Sequence, residues 1–100
     1  MRLKMMAGTL SARPQSLVFQ CNNSIKAITA SIAADALLDM MDFHRIKGGQ
    51  EYGFQALLPE IERLVNAKYE AGRIDENGEL AIWAADLLRY GFRERVKSAA

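Results

Sequence analysis

The sequence is short of the residue types that usually announce a chemistry. Among 100 residues there is one cysteine, one histidine, one tryptophan and two prolines. A lone thiol, Cys21, cannot close an internal disulfide, which excludes a stapled secreted scaffold and favours a reducing compartment, the cytoplasm. No stretch approaches the roughly twenty consecutive apolar residues of a membrane-spanning helix, so no membrane partner is expected. The first 34 residues hold no acid. That start also lacks the continuous apolar stretch of a secretory signal, and Met5 and Met6 leave the initiation site open. A Ser- and Arg-containing, acid-free start has the composition of an organelle transit peptide, but at this length it is read as a flexible N-terminal tail.

What is present is one small domain. Half of the residues are apolar and a quarter are charged, the balance of an ordinary globular chain, and 15 of the apolar residues are Ala. The core must therefore be modest. The net charge of +1 conceals a segregation. Residues 1–34 carry Arg2, Lys4, Arg13 and Lys26, residues 35–86 carry eleven acids against five bases, and Arg89, Arg93, Arg95 and Lys97 then oppose Glu94. An acidic body with basic ends lacks the continuous basic face of a dedicated nucleic-acid domain.

Leu17, Phe19 and Cys21 alternate with Val18 and Gln20, and Ile28, Ala30 and Ile32 repeat the period beyond Asn22-Asn23, which predicts a hairpin. From Ala33 the spacing becomes helical, with Ala36, Leu37, Met40 and Met41 on one side and Asp35, Asp39 and Asp42 on the other. Phe43 to Tyr52, containing Gly48-Gly49, reads as a loop. A second helix carries the stripe Phe54, Leu57, Leu58, Ile61, Leu64, Val65 and Lys68, starts within a turn of Pro59 and ends at Ala71-Gly72. Asn77-Gly78, between Arg73-Ile74-Asp75 and Glu79 to Trp83, predicts a second hairpin. A helical alternative places Leu80, Trp83, Ala84, Leu87, Leu88 and Gly91 on one face; the reading adopted is a strand through Trp83 and a helix after it.

The expected fold is α+β, of order β-β-α-α-β-β, with an antiparallel four-stranded sheet and helices on one face. Leu37, Leu38, Leu57, Ile61, Leu64 and Val65 are expected to pack on Phe19, Ile28, Ile74 and Ile82. Residues 1–15 form the tail, 16–86 the domain, and 87–100 a basic extension that is helical or mobile.

Between Ser16 and Asp86 the chain resembles the domain-of-unknown-function 1488 family of small, mostly proteobacterial proteins. The residues that carry the resemblance are Val18-Phe19, Ile28-x-Ala30-x-Ile32, Asp35-Ala36-Leu37, Phe54, Ile61-Glu62 and Ile74-Asp75-x-x-Gly78-x-Leu80-x-Ile82-x-x-x-Asp86. Ala30 stands where that family often has Cys, and Ala33 stands where a small polar helix cap is usual. The resemblance implies a compact α+β fold and assigns no activity and no catalytic residue.

No catalytic constellation is expected. Cys21 reads as a small buried hydrophobe rather than a nucleophile served by His44. His44 with Asp39 and Asp42 falls short of the three or four converging ligands of a metal site, and Glu60, Glu62, Asp75 and Glu79 have no distinguishing setting for acid–base work. Gly48-Gly49 lacks a phosphate-loop context, so no cofactor is expected. Two candidate surfaces stand out. Trp83, Tyr90 and Phe92 suit a protein interface, either a homodimer seam or a contact with another protein. Arg89, Arg93, Arg95 and Lys97, interleaved with aromatics, suit weak contact with RNA or single-stranded DNA. A non-enzymatic interaction or regulatory module is the leading reading, and nucleic-acid binding the alternative.

Overall fold

A computed structural model describes residues 2–6, 8–75 and 77–90. The fold is α+β, with strands β1 (Lys4–Met5), β2 (Ser11–Arg13), β3 (Ser16–Asn22), β4 (Ala27–Ala33) and β5 (Leu80–Ile82) in one mixed sheet. Helices α1 (Ala34–His44), α2 (Gln50–Ala56), α3 (Leu58–Glu70) and α4 (Ala84–Arg89) lie on one face of it.

The β3–β4 hairpin follows from the alternation. Register pairs Leu17 with Ile32, Phe19 with Ala30 and Cys21 with Ile28, so both apolar sets point to the same side. The turn centres on Ser24-Ile25, two residues later than Asn22-Asn23: Asn23 Oδ1 accepts from the amides of Ile25 and Lys26, and Ser24 takes the left-handed backbone (φ 77°). Under the helices, Phe19 meets Phe54 edge-on at 5.0 Å between ring centroids. Leu37, Met40, Ile61, Leu64, Val65, Leu80, Ile82 and Leu87 are sealed in the same core. Leu38, expected among them, is instead 47% exposed, because the core stripe of α1 runs through Ala36, Leu37, Met40 and Met41. Ile74 is half-buried against the core.

The apolar stripe on either side of Pro59 is two helices, broken at Leu57 (φ −104°, ψ 13°), with Pro59 in the first turn of α3 where its missing amide costs nothing. The loop expected over 43–52 contracts to 45–49, because α1 runs on to His44 and α2 starts at Gln50. At the end of α3 the amides of Gly72 and Arg73 return to the carbonyls of Tyr69 and Lys68, and Gly72 supplies the left-handed residue (φ 72°) that this cap requires.

Four expectations are corrected. The sheet has five strands and is not wholly antiparallel, since β5 runs parallel to β4. The Asn77-Gly78 turn exists, with Gly78 at φ 82° and the Asp75 amide bonded to the Glu79 carbonyl, yet it joins no second hairpin. Arg73–Asp75 pairs with no strand; the helices from Ala34 to Glu70 instead provide the long crossover that a parallel pair needs. The segment expected as a tail supplies β1 and β2, both antiparallel to β3. Buried Asn66 of α3 holds Leu3 at both backbone groups, accepting its amide at 2.7 Å and donating to its carbonyl at 2.9 Å, while Glu62 Oε2 accepts the Met5 amide. The proposed boundary at residue 87 falls inside α4, whose Leu87 is a core residue.

Candidate functional site

The described helices cover one face of the sheet; the other, left open by them although its side chains are buried or half-buried, carries the site. Side chains alternate along a strand, so the residues opposite the core set are Ser16, Val18 and Gln20 of β3, Thr29, Ser31 and Ala33 of β4, and Ala81 of β5. All but Val18 are short or polar. Where β4 and β5 end, the chain enters a helix at once: Ala33 is the N-cap of α1 and Trp83 that of α4. The β2–β3 turn, Pro14-Gln15, closes over the same end, with the Gln15 carbonyl accepting the Ala34 amide at 2.9 Å. Between these corners lies a cleft of about 800 Å³, lined by Arg13, Pro14, Gln15, Ser16, Ser31, Ala33, Ala34, Asp35, Leu38, Glu79 and Trp83. That volume falls within the roughly 300–1,000 Å³ of sites that hold a small molecule or a few residues of peptide.

A polar network fixes one wall. Arg13 Nη2 lies 3.1 Å from Glu79 Oε1, and Nη1 donates to Oε2 at 3.4 Å. The Ser31 hydroxyl, 3% exposed, donates to the same Oε2 at 3.1 Å. A base from the acid-free first third thus neutralises an acid of the acidic middle. The other wall is apolar and open to solvent: Trp83 is 53% exposed and Leu38 borders it from α1. Asp35 lies beside them in the first turn of α1, with Oδ1 accepting the Ala36 amide at 2.8 Å.

The backbone of Trp83 is held from beneath. Indole offers no acceptor for an N-cap bond, so this helix start depends on Asp86, whose Oδ2 accepts the Trp83 amide at 2.8 Å. The same oxygen accepts from Lys68 Nζ at 2.8 Å, and that ammonium also donates to the Ala81 carbonyl. Lys68 and Asp86 are both buried, so α3, β5 and α4 are tied together at the corner that presents the indole.

The other residues singled out from sequence lie elsewhere. Tyr90 is half-buried against the core, and its main-chain carbonyl accepts from Arg63 Nη1 at 3.0 Å. Arg89 is exposed in the last turn of α4. Phe92, Arg93, Arg95 and Lys97 lie outside the described residues. Cys21 is buried in β3, where burial and the nearby Glu62 carboxylate push its thiol up to about 12, the wrong direction for a nucleophile. His44 ends α1 on the surface with its ring against Phe43, and neither it nor Cys21 lines the cleft. No group of three His, Cys, Asp or Glu side chains placed to hold a metal occurs among the described residues. No described helix is long and apolar enough to cross a membrane.

Of the residues lining the cleft the sequence singles out Trp83 as an interface candidate, and it gives no sign that Arg13, Ser31, Asp35, Leu38 and Glu79 lie beside it. The charge segregation implied cross-pairing without naming the partners. Pro14, which the structure places in the β2–β3 turn, is the local turn signal in that segment. No protein-family model, curated protein or solved structure matches the chain.

Proposed function

We propose that the chain is a non-enzymatic protein-interaction or regulatory module of the cytoplasm that docks its partner in the cleft beside Trp83. The observation that carries this reading is the exposed indole on an immobilised corner. Tryptophan is highly buried on average, and where it stays half in water beside a cleft it is the side chain most often found as an interface anchor. The partner is a second copy of the chain or another protein. Membership of the domain-of-unknown-function 1488 family belongs to the same proposal and supplies no competing activity. Contact with nucleic acid through Arg89, Arg93, Arg95 and Lys97 has less support, because Arg89 does not line the cleft and the other three lie outside the described residues.

Light scattering after size exclusion, at low and high salt and with absorbance at both protein and nucleic-acid wavelengths, separates these readings. The expected result is a nucleic-acid-free protein whose binding, to itself or to peptides selected from a displayed library, is lost in Trp83→Ala. Selected peptides that bind Trp83→Ala as well as they bind the parent, or a nucleic-acid signal removed by salt, would replace this reading.

A further inference from the structure

We infer that the cleft takes a basic side chain, arginine above lysine, from an extended segment of a partner protein. The inference deepens the docking reading and rests on it. Two carboxylates line the cleft, and they are in different states. Glu79 is satisfied, with Arg13 at 3.1 Å and the Ser31 hydroxyl at 3.1 Å. Asp35 is exposed, uses one oxygen on the Ala36 amide, and pairs with no base among the described residues. Among the described residues the charged groups lining the cleft are Arg13, Asp35 and Glu79, one negative charge in excess. Its other exposed lining groups are Pro14, Gln15, the Trp83 indole and the Leu38 side chain, and of all these Asp35, Trp83 and Leu38 are the three that offer an anion, an aromatic face and an aliphatic surface.

A side chain that uses all three needs an apolar stem for Leu38, a cation for the face of the indole and hydrogen-bond donors for Asp35. Only lysine and arginine combine these, and arginine's planar guanidinium both stacks on an aromatic ring and reaches a carboxylate with two parallel donors. The small floor residues Ser31 and Ala33 leave room for the backbone that carries such a side chain. A phosphorylated or acidic segment would meet Asp35 and Glu79 and be repelled.

Trp83 is the only tryptophan, so its emission in the full chain reports the cleft directly. The test titrates two capped peptides, Ala-Leu-Arg-Leu-Ala and the same sequence with citrulline, which keeps the shape of arginine without its charge. The arginine peptide is expected to bind about tenfold more tightly, and Asp35→Asn, a surface change, is expected to remove most of that preference. Equal affinity for both peptides would overturn the basic-side-chain preference and leave the docking reading intact. No change in Trp83 emission up to millimolar peptide would overturn both. A chain that binds the arginine peptide more tightly once Arg93, Arg95 and Lys97 are replaced by Gln would overturn an external segment as the occupant, since the chain's own bases would then be competing for the cleft.

Discussion

The two faces of the sheet are built to different specifications although they share every strand. On the covered face β3, β4 and β5 contribute Leu17, Phe19, Cys21, Ile28, Ile32, Leu80 and Ile82, large groups that reach the helices. On the open face the same strands contribute Ser16, Val18, Gln20, Thr29, Ser31, Ala33 and Ala81, of which Val18 is the one sizeable apolar group, too little to build a second core. Burial does not separate the faces, since Ser31, Ala33 and Ala81 are as inaccessible as the core. What separates them is how much apolar surface each removes from water, and therefore how much stability each supplies. The covered face holds the fold, and the open face is free to present a cleft. Substitutions on the first should cost stability, and substitutions on the second should cost binding.

The largest effect is expected from Phe19→Ala. It removes a fully buried ring together with its edge-on contact to Phe54, and should cost about 3–5 kcal/mol in denaturant unfolding. Lys68→Met should come close to it for another reason. It leaves the buried Asp86 carboxylate without its cation, a loss of about 3–5 kcal/mol. Adding Asp86→Asn should restore part of the loss, because the neutral amide still accepts the Trp83 amide and no unpaired charge is buried. A double mutant no more stable than Lys68→Met would show that the pair's charge is not what holds this corner.

These two residues also show what was legible in the sequence. Phe19 was readable because a seven-residue strand gives the period of two enough repeats to register. Lys68 was readable only as a position: it falls on the apolar stripe of α3, yet nothing in one dimension says that Asp86 will arrive to neutralise it. The same limit hid the strand pairing. β1 and β2 are two and three residues long, too short for any period; the β1 segment is held by Asn66 and Glu62, more than fifty positions away, and β2 by its pairing with β3 and the Arg13–Glu79 ion pair. The Asn77-Gly78 turn was real and misled, because a turn signal is local while the direction of β5 is set by the helical crossover. Of the cleft, the exposed tryptophan was legible from composition. Its companions come from four separate segments, and only the fold brings them together.

Cys21 tests the covered face through pH. Its thiol is raised from 9.0 to about 12 in the folded chain, chiefly by burial and secondarily by Glu62, so the native state holds a proton that the unfolded state has released. A pKa raised on folding contributes stability in full below the unfolded value and loses it as pH climbs through the folded one. Between pH 9 and about 12 stability should therefore fall by about 1.4 kcal/mol per pH unit from this group. Cys21→Ala should remove that part of the slope in alkaline unfolding curves. A thiol reagent at neutral pH should meanwhile label the native protein only as fast as it opens.

The smallest stability effect and the largest functional one should coincide at Trp83. Its side chain is half in water, and the hydrogen bond that starts α4 uses its backbone amide, which Ala also provides. Trp83→Ala should change unfolding free energy by less than about 0.5 kcal/mol, as surface substitutions generally do. Because the variant has no tryptophan emission, binding of the arginine peptide is then read by calorimetry, and the heat seen with the parent should vanish. If Trp83→Ala instead unfolds the chain as Phe19→Ala does, the indole is holding the corner and the division between the two faces fails. If stability and binding both survive, the division stands but its open face works through something other than Trp83. Loss of binding with stability retained is what a fold with one face for cohesion and one for contact should show.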